Sequence, residues 1–233
     1  MSEKRQQLMT TAYRLFNRHG FHATGIDRIW AEAGSTKRTL YRHFPTKDAL
    51  IEAVLMARDA EFFALLDARM DGVSGREARL LALFDGFADW FGRSDFYGCN
   101  FINASAEFSD PRHPVRKLVV AHKRVLLNWV REALECTEVQ ATGLCLLLEG
   151  AVVMAHSYQQ PLALEQARVL AGPCWQSRAS SVPWGRYPDS SAPAWSRATP
   201  PTPSPPSRAT GPAVPGWAPA PAAACETCPL CAP

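Results

Sequence analysis

A chain of 233 residues with 25 Lys+Arg, 22 Asp+Glu and 47% hydrophobic residues has the length of one large domain or two small ones and the ordinary make-up of a packed protein. The average hides a break, because residues 172–233 hold 15 of the 19 prolines and 4 of the 7 tryptophans, with one leucine, Leu230, and no lysine, isoleucine or phenylalanine. Such a stretch cannot bury enough apolar surface to offset the ordering of its backbone, which excludes it from a core and predicts a folded body to about residue 171 followed by a disordered tail.

The body reads as helix throughout. No run alternates apolar and polar residues between turn signals, so no sheet is expected and the fold class is all-α. Leu8, Ala12, Leu15 and Phe16 share one face of a first helix over Glu3–His19, which Gly20 stops. A short helix follows from about Gly25 to Ala33, ended by Gly34, and a third from Lys37 to His43. Pro45 and Thr46 break the chain, and Thr46 is placed to cap a long helix over residues 47–70. In residues 76–92, Leu80, Leu83, Phe84, Phe87 and Phe91 repeat at helical spacing. A short helix is expected over Cys99–Phe108. The Asp110-Pro111 and His113-Pro114 steps precede a long helix with Val115, Leu118, Val119, His122, Val125, Leu126, Trp129 and Val130 on one face. Residues 138–157 are apolar on nearly all sides, as in a helix buried on two faces. A last helix begins after Pro161 and fades near Ala171.

Charge is uneven along the body. Residues 1–50 carry 9 Lys+Arg and 4 Asp+Glu, net +5, whereas residues 51–171 carry 12 and 16, net −4. A basic block on an acidic body suits a polyanion, although a solvated charged face reads the same way. Met1–Gln7 is polar and no apolar leader core follows it. The best apolar run, Leu144–Ala155, is short for a membrane span and is interrupted by Glu149. Cys99, Cys136 and Cys145 show neither disulfide nor metal spacing, which fits a reducing cytoplasm.

The stretch from Gly20 to Leu50 carries the chemistry. Two short helices separated by Gly34 and preceded by a longer one match a helix-turn-helix. Thr24 is placed to cap the second helix with Asp27 three residues on, and Thr36 to cap the third. Ile26, Ile29, Ala33, Leu40 and Phe44 form a small core. The third helix then presents Lys37, Arg38, Thr39, Tyr41, Arg42 and His43, donor-rich side chains suited to phosphates and to base edges in a major groove.

The run Gly20-Phe21, Thr24, Ile29, Ala31-Glu32-Ala33-Gly34, Thr39-Leu40-Tyr41-Arg42-His43-Phe44, Lys47 and Leu50 closely resembles the N-terminal domain of the TetR family of bacterial transcriptional regulators. The resemblance implies a DNA-binding domain over residues 1–46, a helical effector-binding and dimerisation domain over 47–171, and the tail over 172–233. It implies a homodimer that binds double-stranded operator DNA, acts as a repressor and leaves the operator when a small-molecule effector binds. No cofactor and no metal are implied. By position, Thr36–His43 is the recognition helix, Tyr41 and Lys47 meet phosphates, Thr39 meets a phosphate or base, and Lys37 and Arg38 set the operator sequence. Thr24, Thr36, Arg42 and His43 complete the expected DNA-binding set. Tyr41 can alternatively pack, and His43 can serve the helix dipole instead of a base. Ser35 stands where the family usually has a β-branched apolar residue. Trp30 stands where it often has a smaller one, and whether the indole refills the space left by Ser35 stays open.

For the effector site the expected residues are Trp90, Phe101, Asn103, Glu107, His122, Trp129 and Glu149. Each has a structural alternative: an aromatic stripe at helical spacing serves a core, and a histidine on an apolar face serves as a satisfied core residue. Asn103 and Glu107, one turn apart, can share a ligand group or bond a neighbouring helix. Glu149 in an apolar helix needs a partner, either a ligand, His122 or a second subunit. There is no phosphate loop, nucleophile elbow or metal-spaced cluster, which argues against an enzyme. The Cys225, Cys228, Cys231 triplet lacks a fourth ligand and is not read as a zinc site. The tail begins inside a helical pattern and is built from residues with GC-rich codons, so either a reading-frame accident near Val169–Pro173 or a native extension accounts for it. On the first account the chain would be a helical small-molecule-binding protein with impaired dimerisation and DNA binding.

Overall fold

The computed structural model describes residues 2–158 and 162–176. Every described residue belongs to one compact unit. The regular structure among the described residues is helical, with no strand. The helices are α1 (Glu3–His19), α2 (Ile26–Glu32), α3 (Lys37–His43), α4 (Lys47–Met70), α5 (Arg76–Phe91), α6 (Asn100–Glu107), α7 (Pro114–Ala133), α8 (Glu138–Tyr158) and α9 (Leu162–Gln176).

Local chemistry sets most of the boundaries. Ser2, Thr36 and Thr46 accept from the backbone N–H groups of Arg5, Thr39 and Ala49, capping α1, α3 and α4. The His113 side chain accepts from Val115 N, and Pro114 occupies the first turn of α7, where its missing N–H costs nothing. Gly20 ends α1 with φ +85°, and Gly34 turns the chain after α2 with φ +57°.

Two expectations about helix ends are corrected. Thr24 does not cap α2, whose N-cap is Gly25 with no side-chain bond. Thr24 is instead fully buried, and its hydroxyl donates to Gly20 O at 2.7 Å and Leu15 O at 3.3 Å, fastening the α1–α2 turn to the end of α1. The last helix does not stop at Ala171 but runs to Gln176. Trp175 is buried there, with the Arg76 guanidinium 4.1 Å from its ring centroid and its carbonyl accepting from Gln140 Nε2. These bonds to α5 and α8 supply what local propensity lacks. Most of the expected tail, its cysteine triplet included, lies outside the described residues.

One core runs from head to body. Leu8, Leu15, Phe16, Phe21, Ile29, Leu40, Phe44 and Leu50 close the space between α1, α2, α3 and the start of α4. Leu66, Leu83, Phe84, Phe87, Val119, Leu126, Leu144 and Leu148 continue it through the body. Helix α8 is long and apolar enough to cross a membrane by length and composition, and 39% of its apolar window is buried within the fold, on one side rather than two. Gln140, Ala141, Leu144, Leu148, Ala151, Val152 and Ala155 form its buried side.

Candidate functional site

Helix α3 stands on one fully buried side chain, Leu40, with Phe44 buried just beyond its end. Thr39 and His43 are half-buried beside it. Lys37, Arg38, Tyr41 and Arg42 are exposed, Tyr41 to 42%. The Lys37 ammonium lies 3.2 Å from Asp27 Oδ1, which also accepts from Trp30 Nε1 at 3.0 Å. Those two donors, the indole first, hold the Asp27 carboxyl below the usual carboxylate range. Thr36 and Thr39 share a hydroxyl–hydroxyl bond of 3.0 Å at the helix start.

Two residues expected at the DNA face sit differently. Thr24 is inside the core, as described. His43 is half-buried, and its Nε2 is shut away from solvent without a protein partner, so that nitrogen is not offered to a phosphate or base. Lys47 is half-buried and donates to His22 O at 3.1 Å. Burial pulls its pKa below the ordinary value, against the opposing charges of Glu107 and Asp48. The Ser35 hydroxyl is buried without a protein partner, and Trp30 is only half-buried beside the core. The indole therefore leaves that hydroxyl unsatisfied.

Beneath the head, a cavity is lined by α4, α5, α6, α7 and α8. Four of the seven residues expected at an effector site line it: Trp90, Phe101, His122 and Glu149. The other three do not, and each has a physical reason. The Asn103 amide is held by Tyr97 O at 3.1 Å. The Trp129 indole donates to Asp67 at 2.8 Å, bracing α7 against α4. Glu107 is claimed by the α1–α2 turn, where Phe21 N donates to Oε1 at 2.8 Å and His22 N to Oε2 at 2.6 Å. The His22 ring lies 3.1 Å from the same carboxylate. Glu107 thus ties the end of α6 to the head. Gly20 sits beside it at φ +85°, which favours glycine, and a Cβ there would lie 2.9 Å from Glu107 Oε1 and push the carboxylate aside.

The cavity's polar wall is made of groups far apart in sequence. A carboxylate only accepts, so His122 Nδ1–H donates to Asp59 Oδ1, at 2.6 Å, which leaves Nε2 as the ring's remaining nitrogen, and the ring is also hydrogen-bonded to the Cys99 thiol. The His122 ring is stacked on Phe101, with centroids 3.7 Å apart and planes 7° apart. Lys123 Nζ lies 3.2 Å from Glu149 Oε2 and 3.9 Å from Cys99 Sγ. The partner of Glu149 is therefore a lysine, an option the sequence reading did not include. Burial pushes the Cys99 thiol up, but the His122 hydrogen bond and the charges of Lys123 and His122 outweigh it and leave the thiol below its usual value. Burial alone would lower the pKa of His122, and the bonds to Asp59 and Cys99 raise it overall.

Cys99, Asp59, Lys123, Arg58, Glu61 and Phe62 belong to this neighbourhood and were missed from sequence. One signal was present. Leu55, Asp59, Phe62 and Leu66 follow helical spacing, so Asp59 is a carboxylate in a core-facing row.

A short capped helix standing clear of a three-helix core, with guanidinium, ammonium and phenol groups outward, defines a helix-turn-helix DNA-binding protein. Residues 8–54 match the family model described as bacterial regulatory proteins, tetR family. The solved structure of SCO4454, a TetR-family transcriptional regulator from Streptomyces coelicolor, agrees with a TM-score of 0.71 at 35% identity, over 75% of this chain and 95% of that one. The chain belongs to the TetR family of transcriptional regulators. Among curated relatives, the transcriptional activator FasR of Mycolicibacterium smegmatis is 31% identical over 110 residues, 47% of this chain and 50% of its own length. The transcriptional regulator YerO of Bacillus subtilis is 43% identical over 51 residues, 22% of this chain and 18% of its own. The chain spans half or less of the length of these curated relatives.

Proposed function

We propose that this protein is an effector-responsive transcriptional repressor, acting in the cytoplasm as a homodimer on double-stranded operator DNA and performing no catalysis of its own. Residues 1–46 serve as the DNA-binding domain and 47–171 as the effector-binding and dimerisation domain, with a distinct tail over 172–233. The observation that carries the reading is helix α3, where Lys37, Arg38, Tyr41 and Arg42 are displayed on a helix fixed from behind by Leu40. Lys37 and Arg38 would read base edges, and Tyr41 and Lys47 would position the backbone, with Thr36, Thr39 and Arg42 beside them.

Dimerisation has support on the far side of the body. Val139, Leu146 and Val153 are exposed at seven-residue intervals along α8, Leu146 to 71%, and Leu162 and Val169 repeat the interval on α9, Val169 to 75%. A two-helix apolar stripe of this kind fits a second copy of itself. Two subunits would then set their α3 helices in successive major grooves, about 34–36 Å apart on a pseudo-palindrome. A ligand in the cavity would favour a conformation with the wrong spacing, a shift between two populated states.

Mobility shifts with DNA flanking the chain's own gene test this. The folded dimer should prefer one fragment over bulk competitor, with steep salt dependence. Arg38→Ala should cost about 1–3 kcal/mol and relax base preference, whereas Lys47→Ala should weaken all sequences alike and lower the salt slope by about 1. A dimer that prefers no fragment would overturn the reading. A reporter driven by the bound promoter distinguishes repression from the activation that the name of FasR records for that relative.

A further inference from the structure

We infer that the effector is a small soft electrophile, an α,β-unsaturated carbonyl of about four or five non-hydrogen atoms, which the cavity captures by covalent addition to Cys99. The inference rests on the regulator reading above and names the ligand class for its cavity.

Cavity size is the first ground. The free volume is about 40 Å³ for the centre of a water-sized sphere. On that measure one water takes roughly 10–15 Å³, so the space holds about three waters. That is small for a drug-sized effector held by shape alone, and a ligand this small has few contacts from which to draw affinity. A covalent bond removes that limit.

The wall supplies the chemistry for such a bond. Cys99 lines the cavity, and its sulfur faces the His122 ring and the Lys123 ammonium. Asp59 holds His122 from the other side at 2.6 Å, and Phe101 stacks on the ring and fixes its plane. The charged groups around this corner are Arg58, Asp59 and Glu61 from α4, His122 and Lys123 from α7, and Glu149 from α8, with Arg93 beyond the end of α5. The thiol proton passes to His122 Nε2. The sulfur lone pair forms a C–S bond at the β-carbon, and the C=C π pair moves onto the carbonyl oxygen as an enolate. The Lys123 ammonium lies close enough to stabilise that oxygen. The imidazolium returns its proton to the α-carbon, so one thiol has added across one double bond with no oxidant or reductant consumed. His122 exchanges the proton with the reacting sulfur, and Asp59 is a positioning residue that acts through it.

Neither Cys136 nor Cys145 is hydrogen-bonded to a histidine, and Cys145 feels Glu149 as well as Lys123. Burial pushes the Cys145 thiol up to about 12, and burial also raises Cys136. Both would be slow nucleophiles near neutral pH.

The test treats the full-length protein with acrolein near neutral pH and follows each cysteine-containing peptide by mass spectrometry, alongside operator affinity. Cys99 should gain the adduct at least about tenfold faster than Cys145, since each unit of thiol pKa changes the thiolate fraction tenfold. Operator affinity should fall in step with the Cys99 adduct. Cys99→Ser, compared with its own untreated affinity, should not respond. In His122→Gln the pH at which Cys99 becomes reactive should move upward, a shift that a purely structural role for the ring would not produce. Labelling of Cys99 no faster than Cys145 overturns the inference, as does a stoichiometric Cys99 adduct that leaves operator affinity unchanged. Cys99-dependent release by hydrogen peroxide but not by acrolein overturns it in favour of an oxidant. If the untreated protein binds no operator, the regulator reading itself fails, while the labelling ratio still judges the cavity chemistry.

Discussion

The head and the cavity beneath it use polar side chains in opposite ways. In the head, Thr36 and Thr46 bond backbone N–H groups three residues on, and Lys37, Arg38, Tyr41 and Arg42 are left facing outward. In the cavity, Asp59 and His122 meet across 63 positions, and Cys99 and Lys123 across 24. Local bonding builds a rigid surface that meets a large partner from outside. Long-range bonding builds an interior whose polar groups satisfy one another.

Three substitutions probe that contrast. The largest effect is expected from Leu40→Ala, which removes the one fully buried anchor of α3. It should cost about 3 kcal/mol, measured by denaturant unfolding, and take operator binding with it. A loss below about 1 kcal/mol would mean that α3 does not lean on this side chain.

Gly20→Ala comes next, because it probes the joint between the two regions. The position has φ +85°, and a Cβ would meet the Glu107 carboxylate. A cost of about 1–2 kcal/mol is expected. Pairing it with Glu107→Gln in a double-mutant cycle should show coupling, since the two residues share one contact. Additive effects would separate the strain of Gly20 from the hold of Glu107.

The smallest effect should have the opposite sign. Ser35→Val removes a buried hydroxyl without a protein partner and adds apolar volume between α2 and α3. It should stabilise the fold by about 1 kcal/mol, read as a rise in the unfolding midpoint. A fall would show that the space beside Trp30 does not admit the branched side chain.

The same contrast explains what could be read from the chain beforehand. The ends of α1, α3 and α4 are written in Gly20, Thr36 and Thr46, whose effects act within a turn. Thr24 misled because a threonine before a helix is usually a cap, and only the packed structure shows its hydroxyl turned back to Leu15 and Gly20. The end of α9 misled because its last turn is held by Arg76 and Gln140, not by its own sequence. Trp90, Phe101, His122 and Glu149 were found in the cavity because apolar periodicity aims them inward. Asn103, Glu107 and Trp129 share that periodicity, but backbone carbonyls, backbone amides and Asp67 claim their polar atoms first. No spacing rule pairs a cysteine on one helix with a histidine on the next.

Helix α6 has eight residues, a strut about 12 Å long. Cys99 at its N-cap belongs to the cavity wall, and Glu107 in its last turn grips the peptide groups of Phe21 and His22. On the proposed function, two stiff turns of helix would carry a displacement of the near end to the far one. The coupling also has a rotational phase. Inserting one residue into α6 would swing the Glu107 carboxylate by about 100°, away from the amides it holds. In such a variant the input and the output would both survive, disconnected, like a crank slipped off its shaft.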